Sequence, residues 1–320
     1  MKKMLIVVIS ILVVLALGLW IATDYMLKFS LSPDPNRADT DSAYNKVLYS
    51  RFPDMRPWVD QMTTNQLLRD TFVVMPHSGE RHHALYIPSD RSNGKTAIIV
   101  HGYRDCAIKF LYLGKMYYDV FGYNVLMPDL SAHGQSEGES IRMGWKDSDD
   151  LLYWTKVAEK LFSDGQNRCS IVVHGVSMGA ATTMNLSGKS DLPLSIRGFV
   201  EDCGFTSVWD EFKEELKNRF SLPSFPLLYT GSALCKARYG WSFKEASPLE
   251  SVKRCSYPML FIHGDADTFV PSWMVHPLFE SKPYPKYIWI AKGSEHALAY
   301  KDHPIEYTHE VRKFLNEIMK

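Results

Sequence analysis

The sequence predicts an α/β fold: a mostly parallel eight-stranded sheet flanked by helices, with a helical cap inserted late in the chain. Eight short apolar runs, several of them β-branched, are bounded by polar residues or glycine, as buried strands are. Helical stretches separate most of these runs, and this alternation is typical of a parallel sheet covered on both faces. One interval of about 50 residues breaks the alternation and is rich in Phe, Trp and Pro, which indicates a cap.

The strands and helices follow from local patterns. The predicted strands are residues 70–75, 83–87, 96–102, 124–130, 169–175, 197–204, 257–264 and 286–293. A short polar turn separates the first two strands and predicts a hairpin. Segment 146–162 is predicted to be a helix because its apolar residues share one helical face. These residues are Leu151, Trp154, Ala158 and Leu161. The cap is predicted at about residues 205–252.

The beginning of the chain is different in kind. Lys2 and Lys3 precede an uncharged run, residues 4–22, which is long enough to cross a hydrocarbon core of about 30 Å as a helix. Positive charge before the run predicts a single-pass anchor in the cell membrane, with the N-terminus cytoplasmic and the rest of the chain outside. A cleaved secretory signal is the alternative, although its apolar part is usually only about 7–15 residues long.

The expected organisation is an anchor over residues 1–27, a linker and helical extension over 28–69, and one α/β domain over 70–320. The 320 residues are 46% hydrophobic, and Lys+Arg equals Asp+Glu at 36 each, so nothing electrostatic favours nucleic acid. The five cysteines show no CxxC pair, which argues against a disulfide framework or a metal site. His82 and His83 lie in a predicted strand, and we expect neither a metal nor a cofactor.

The stretch "HGVSMGAA" (174–181) places Ser177 on a sharp turn between a predicted strand and a helix that runs to about Gly188. Small residues on both sides suit a turn that needs positive φ or close backbone approach. Ser177 is therefore a candidate nucleophile. The alternative is that its hydroxyl only caps the following helix.

Further polar residues follow other strands of the predicted sheet. Asp267 and His296 come after the last two strands, so serine, acid and histidine occur in the order of the α/β-hydrolase triad. A serine hydroxyl needs an imidazole to accept its proton, and the imidazole needs a carboxylate to fix its tautomer. The oxyanion needs two N–H donors, and we assign these to Met178 and Tyr103.

Other side chains near the strand ends are open to different interpretations. Asp202 competes with Asp267 for the role of acid, or it could cap the helix that begins near Ser207. Asp265 is interpreted as a turn residue. Three histidines are interpreted as structural, and the two that precede a glycine, His101 and His174, are expected to be bonded to backbone groups. The third is His133, which lies in a turn.

The motifs "IIVHGY", "GYNVLMPDLSAHGQSEG", "GVSMGAA" and "FIHGDADTFVP" resemble signatures of the α/β-hydrolase superfamily. In particular, the chain from about Lys28 onward is similar to membrane-anchored bacterial cell-surface hydrolases related to serine aminopeptidases and to feruloyl or cinnamoyl esterases. The resemblance implies that Ser177, Asp267 and His296 are the triad. It also implies hydrolysis of an ester, amide or thioester. Many relatives carry Arg–Gly where this chain has Ser131–Ala132.

These observations predict a serine hydrolase acting on a small-molecule ester or peptide. A carboxylic ester with an apolar or aromatic part is favoured because the cap is aromatic, and the candidate substrate-binding residues are Phe205, Trp209, Phe225 and Trp241. A serine aminopeptidase-like enzyme is the alternative, and it would hold the substrate ammonium with Glu201, Asp210 or Glu214. A non-catalytic surface binding protein is a further alternative, but it has no need of a complete triad.

Overall fold

A computed structural model describes residues 1–37, 40–163 and 169–319. It contains one eight-stranded sheet in the order β1-β2-β4-β3-β5-β6-β7-β8. The strands are β1 (Arg69–Val74), β2 (Arg81–Ile87), β3 (Lys95–Val100), β4 (Asn124–Pro128), β5 (Ser170–Val176), β6 (Ile196–Asp202), β7 (Met259–Gly264) and β8 (Lys286–Ala291). β2 runs antiparallel to β1 and β4, and all other neighbours are parallel. The predicted fold class and hairpin are confirmed.

The central strands are buried on both faces. In β3, Ala97 and Ile99 face one layer of the core, whereas Ile98 and Val100 face the other. Successive side chains of a strand point to opposite faces, so a strand between two helical layers reads as a continuous apolar run.

The helices cover both faces of this sheet. They are α1 (Lys2–Leu31), α2 (Thr40–Arg51), α3 (Met55–Thr64), α4 (Leu111–Lys115), α5 (Asp147–Phe162), α6 (Met178–Ser187), α7 (Val208–Phe220), α8 (Leu227–Tyr239), α9 (Pro248–Val252), α10 (Val275–Ser281), α11 (Ala299–Asp302) and α12 (Pro304–Ile318). Three short 3₁₀ or π turns cover Ala107–Phe110, Met116–Val120 and Ser272–Met274. On α5, Leu151 and Trp154 are buried as predicted, but Leu161 in its last turn is exposed.

The cap consists of α7, α8 and α9, which lie between β6 and β7 in the chain. α7 begins after Ser207, whose Oγ accepts a hydrogen bond from the backbone N–H of Asp210 at 3.0 Å. Ser207 is therefore the cap of this helix, and the interpretation of Asp202 as a helix cap is wrong.

α1 is one continuous helix with two different environments. Its apolar residues up to Ile21 are exposed apart from the half-buried Leu19, whereas Thr23, Leu27 and Leu31 are buried against the rest of the protein. Among the described residues, α1 is the one helix long and apolar enough to cross a membrane, a criterion that a signal sequence also meets. The boundary expected at residue 27 falls inside this helix. Residues 38 and 39 of the expected linker lie outside the described residues.

Candidate active site

Ser177 occupies the turn between β5 and α6 with backbone angles of φ 57° and ψ −119°. This conformation is strained for a residue with a side chain and requires close neighbours to hold it. A Cβ on Gly175 would lie 2.0 Å from the carbonyl oxygen of Gly179, and a Cβ on Gly179 would lie 2.1 Å from that of Val100. The small residues around Ser177 are therefore required by backbone packing.

The side chain of Ser177 contacts a histidine and does not cap α6. His296 Nε2 lies 2.8 Å from Ser177 Oγ, and His296 Nδ1 lies 2.7 Å from Asp267 Oδ2. The structure thus brings together the three residues that the sequence singled out, from the loops after β5, β7 and β8. A serine, an imidazole and a carboxylate in this sequence of contacts can activate the hydroxyl as a nucleophile.

Asp267 is held in the ionised state by its neighbours. Its Oδ1 accepts hydrogen bonds from the backbone N–H groups of Phe269 and Val270, both at 3.0 Å. Burial raises the pKa of Asp267, but hydrogen bonds from His263 and His296 outweigh burial, and the net shift of the pKa is downward. His263 Nε2 lies 3.3 Å from Asp267 Oδ2 and 3.0 Å from the carbonyl oxygen of Val270. An ionised carboxylate in this position can orient His296 and stabilise its protonated form.

Asp202 has different partners. Its Oδ2 accepts a hydrogen bond from the hydroxyl of Tyr307 at 2.8 Å, and Tyr307 in turn lies 2.9 Å from His174 Nε2. Burial raises the pKa of Asp202 to about 6. Asp202 therefore belongs to a buried polar network, while its backbone carbonyl accepts the N–H of Ser177 at 2.8 Å.

The predicted oxyanion donors lie beside the nucleophile. Tyr103, Ser177 and Met178 line the same cavity. Met178 is the first residue of α6, so its N–H has no acceptor within that helix. A Cβ on Gly102 would lie 3.3 Å from Ser177 Cβ, which shows how closely the loop after β3 approaches the nucleophile.

The cavity has a volume of about 90 Å³ and is mainly apolar. Phe205 lines it as predicted, but the other three aromatic candidates do not. Trp209 packs edge-on against Tyr229 within the cap, Phe225 is 71% exposed, and Trp241 is buried in the core beside Phe243. The aromatic residues that line the cavity in their place are Phe29, Phe212, Phe220, Phe243 and Phe269.

Two glutamates that the sequence interpretation missed line the same cavity. Glu211 and Glu215 project from the face of α7 that also carries Phe212 and Phe220. Glu211 is buried, its Oε2 has no partner among the described residues, and burial raises its pKa well above the ordinary value. Glu211 and Glu215 are four residues apart and so share one face of a helix, a pattern in the sequence that could have identified this face of α7.

The earlier acidic candidates are not in the cavity. Glu201 is fully buried and accepts the N–H of Gly204 at 3.0 Å. Asp210 accepts the hydroxyls of Thr206 and Ser207, both at 2.7 Å. Glu214 is not among the residues that line the cavity.

Cys203, Asp267 and His296 are the one set among the described residues whose ligand atoms lie close enough to share a metal ion. Burial raises the pKa of the Cys203 thiol well above its ordinary value, and a neutral thiol is a poor ligand. Both nitrogens of His296 already have partners. The contacts in this set fit proton transfer better than metal binding.

The remaining histidines near the site have structural partners. His101 Nε2 accepts the N–H of Leu130 at 2.9 Å, and His133 Nε2 accepts the N–H of Arg104 at 3.1 Å. Both are bonded to backbone groups, as predicted for His101, and His133 has the structural role predicted for it. His174 is bonded to the hydroxyls of two tyrosines and not to backbone.

Comparison with known proteins adds three findings. No protein-family model matches the chain. The protein YqkD of Bacillus subtilis, described as uncharacterized, is 30% identical over 324 residues, which cover 99% of this chain and 98% of YqkD.

The third finding is likeness to solved structures. The esterase Pf2001 of Pyrococcus furiosus has a TM-score of 0.63 and 22% identity, covering 79% of this chain and 93% of that one. The α/β hydrolase GrgF of a Penicillium species has a TM-score of 0.58 and 15% identity, covering 79% and 99%. The acylaminoacyl peptidase of Pyrococcus horikoshii has a TM-score of 0.58 and 16% identity, covering 81% and 43%. At these identities the likeness shows the α/β-hydrolase fold alone.

Proposed function

Because this chain belongs to the family of Bacillus subtilis YqkD and has the α/β-hydrolase fold, we propose that it is a serine hydrolase that cleaves carboxylic esters through an acyl-enzyme. The observation that carries the proposal is the unbroken line of contacts from Ser177 through His296 to Asp267, at 2.8 and 2.7 Å. A binding module without activity has no need of this arrangement.

The proposed reaction has two steps. Ser177 Oγ attacks the ester carbonyl carbon while His296 Nε2 takes the hydroxyl proton, and the N–H groups of Tyr103 and Met178 hold the oxyanion. The ester C–O bond then breaks, and the alcohol leaves with the proton from His296. In the second step, water attacks the acyl-enzyme with the same histidine as base, which releases the carboxylic acid and restores Ser177.

The lining of the cavity supports an ester with an apolar acyl part. Phe205, Phe212 and Phe243 offer no hydrogen-bonding groups, and burial raises the pKa of Glu211 well above its ordinary value, which favours the neutral carboxyl group. Apolar walls stabilise a bound acyl chain by about 0.8 kcal/mol per buried methylene.

A fluorophosphonate probe tests the activity itself. The full-length protein in mild detergent should be labelled, and Ser177→Ala should not be, because only an activated serine hydroxyl reacts. Turnover of p-nitrophenyl esters should fall by about 10⁴ to 10⁶ in Ser177→Ala. A wild-type protein that is folded but neither labelled nor active would overturn the proposal and favour a binding protein.

A second candidate is an aminopeptidase-like activity, favoured by the unpartnered Oε2 of Glu211 beside the nucleophile's cavity. A substrate ammonium could take this oxygen as its partner and lower the pKa of the carboxyl group. Aminoacyl p-nitroanilides tested beside p-nitrophenyl esters distinguish the two candidates. If the ammonium is bound here, Glu211→Gln should raise KM for the anilides far more than for the esters.

For the cellular location, we propose a single-pass protein at the bacterial cell surface, with a cytoplasmic N-terminus and an external catalytic domain. The exposed apolar run of α1 after Lys2 and Lys3 supports this orientation. The proposed organisation keeps the extension over residues 28–69 and the catalytic domain over residues 70–320. The anchor helix continues past residue 27 to Leu31.

A further inference from the structure

The last turns of α1 are packed on the cap and do not form a linker. Thr23 Oγ1 lies 2.7 Å from Thr230 Oγ1 of α8, and Asp24 forms an ion pair of 2.6 Å with Arg238 at the other end of α8. Leu27 and Leu31 belong to the main hydrophobic core. Residues 23–31 are therefore packed on the catalytic domain, although they continue the same helix as the exposed apolar run.

The carboxyl end of α1 also holds the loop that carries a proposed oxyanion donor. The last four carbonyl groups of a helix have no N–H donor within the helix and accept hydrogen bonds from groups outside it. The hydroxyl of Tyr103 donates to the carbonyl oxygen of Ser30 at 2.8 Å, and the guanidinium of Arg104 donates to that of Phe29 at 2.7 Å. The two residues after Gly102 are thus fixed by α1.

The same part of α1 lines the active-site cavity. Its contributing residues are Thr23, Met26, Leu27, Phe29 and Ser30. Facing them are Ser177 and the cap helix α7, whose Phe220 packs edge-on against Phe29 at 5.9 Å between ring centroids. One wall of the cavity is therefore a direct continuation of the proposed membrane span.

This continuity fixes the distance between the cavity and the bilayer. Met26 lies four residues beyond Ala22, which is about 6 Å along a helix axis. The polar layer on each side of the hydrocarbon core is roughly 5 to 8 Å thick. If residues 4–22 span the hydrocarbon core as proposed, the cavity wall at Met26 lies at the depth of the lipid head groups and ester bonds.

The cap carries exposed apolar side chains beside α1. We call Phe225 and Tyr229 the cap apolar patch; they are 71% and 51% exposed. Tyr229 precedes Thr230, which contacts Thr23 of α1, and Phe225 packs against Tyr229 at 5.7 Å. The patch is thus next to the point where α1 would leave the bilayer, and aromatic residues are favoured at that interface.

We propose that Met26, Leu27 and Phe29 of α1 form the acyl-chain wall of the active site and that the substrate is an acyl ester of a membrane lipid, drawn from the bilayer surface along Met26 and Leu27. The inference rests on the proposed serine hydrolase activity and on the proposed anchor. It makes Met26 a specificity-determining residue, and it gives the cap apolar patch the role of contacting the bilayer.

The test uses the full-length protein and p-nitrophenyl esters from acetate to decanoate. In Met26→Trp, the larger side chain should shorten the cavity, so kcat/KM for decanoate relative to acetate should fall by about tenfold or more. Met26→Ala should move the preference toward longer chains. Tyr25→Trp is the matched control, because Tyr25 is the neighbouring residue but is 65% exposed and does not line the cavity. It should keep the wild-type preference.

Labelling by a fluorophosphonate separates the two levels of the proposal. If the wild type and the Met26 variants are labelled but their chain-length preference is the same, the proposed acyl-chain wall is wrong and the proposed serine hydrolase activity is retained. If the wild type does not label, the proposed function fails as well.

A second measurement tests the membrane source of the substrate. The protein should be reconstituted in vesicles of diacyl phosphatidylglycerol and phosphatidylethanolamine with a trace of diacylglycerol, and released fatty acid should be measured. Fatty acid release is expected from the wild type and not from Ser177→Ala. In Phe225→Asp, the ratio of lipid to soluble-ester hydrolysis should fall by about tenfold, since a charge at the bilayer surface opposes insertion of the patch. Hydrolysis of soluble esters alone would overturn the lipid substrate.

Discussion

The carboxyl groups of Asp267 and Asp202 lie at the ends of neighbouring strands but have different partners. Asp267 contacts His296 Nδ1 at 2.7 Å, whereas Asp202 accepts the hydroxyl of Tyr307 at 2.8 Å. If Asp267 is the orienting acid, Asp267→Asn should favour the wrong tautomer of His296 and lower kcat by about 10⁴ while the protein stays folded. Steady-state kinetics on a p-nitrophenyl ester measures this loss.

Asp202→Asn is the matched control for that prediction. An amide oxygen can still accept the hydroxyl of Tyr307, so kcat should stay within a factor of a few and stability should change by about 1 kcal/mol. The opposite result, an inactive Asp202→Asn beside an active Asp267→Asn, would transfer the role of acid to Asp202.

Glu201 gives the folded protein a specific dependence on pH. Burial raises the pKa of Glu201 to about 8, while a glutamate in an unfolded chain has a pKa of about 4.3. Between these values the folded state keeps a proton that the unfolded state has released. The stability that this group contributes is therefore present below about pH 4.3 and is lost as the pH rises toward 8.

Replacing Glu201 by glutamine should remove this dependence. A neutral amide can still accept a hydrogen bond from the N–H of Gly204, but it does not titrate. The Tm of Glu201→Gln should therefore fall less than that of wild type between about pH 5 and 8. Thermal unfolding across this range measures the difference, and Glu306→Gln, at an exposed position of α12, serves as control. Parallel Tm profiles for wild type and Glu201→Gln would contradict the buried, protonated carboxyl.

At the level of elements, the contact between α6 and β3 sets the geometry of the site. Gly179 lies so close to Val100 that an added Cβ would be 2.1 Å from a backbone oxygen, which no side-chain movement can relieve. Gly179→Ala should therefore destabilise the protein by about 3 kcal/mol or more and abolish fluorophosphonate labelling. The measurements are Tm and the labelling yield.

Gly231→Ala in α8 is the control for this prediction. A Cβ there would meet only the ring of Phe243 at 3.4 Å, an ordinary contact. In a helix interior, alanine is also more stabilising than glycine by about 0.5 to 1 kcal/mol. Tm should hold or rise, and a loss equal to that of Gly179→Ala would show that the close approach at Val100 is not what matters.

The sequence predicts those features that depend on a local pattern of residues. It does not predict those that depend on how helices and strands pack together. Continuous apolar runs predicted the strands, and the turn around Ser177 followed from its glycines. Which aromatic residues of the cap line the cavity depends on how its helices are rotated, so Phe212 was missed while Trp209 and Phe225 were chosen. The mixed composition of residues 23–31 carries no signal that they continue α1 onto the cap.

For the whole molecule, the ion pair and hydrogen bonds between α1 and α8 fix the catalytic domain relative to the proposed span. Asp24 pairs with Arg238 and with Lys28, and Leu31 accepts the N–H of Ile141 at 2.8 Å. A domain held in this way has one face toward the bilayer and the opposite face toward the surrounding solution. Glu306, in the first turn of α12, is exposed and far along the chain from the cap.

The orientation across the membrane can be tested with a single introduced thiol, because all five native cysteines are buried and should react slowly. If the catalytic domain is outside, Glu306→Cys in intact cells should be labelled by a membrane-impermeant maleimide, and the labelled band should have the full length of the chain. Wild type under the same conditions is the control. Labelling that occurs only after lysis would place the domain in the cytoplasm. It would also show that the two lysines before the apolar run do not hold the N-terminus inside. A labelled band shortened by about 23 residues would instead identify α1 as a cleaved signal, and cleavage there would also remove the first contact of α1 with the cap, between Thr23 and Thr230.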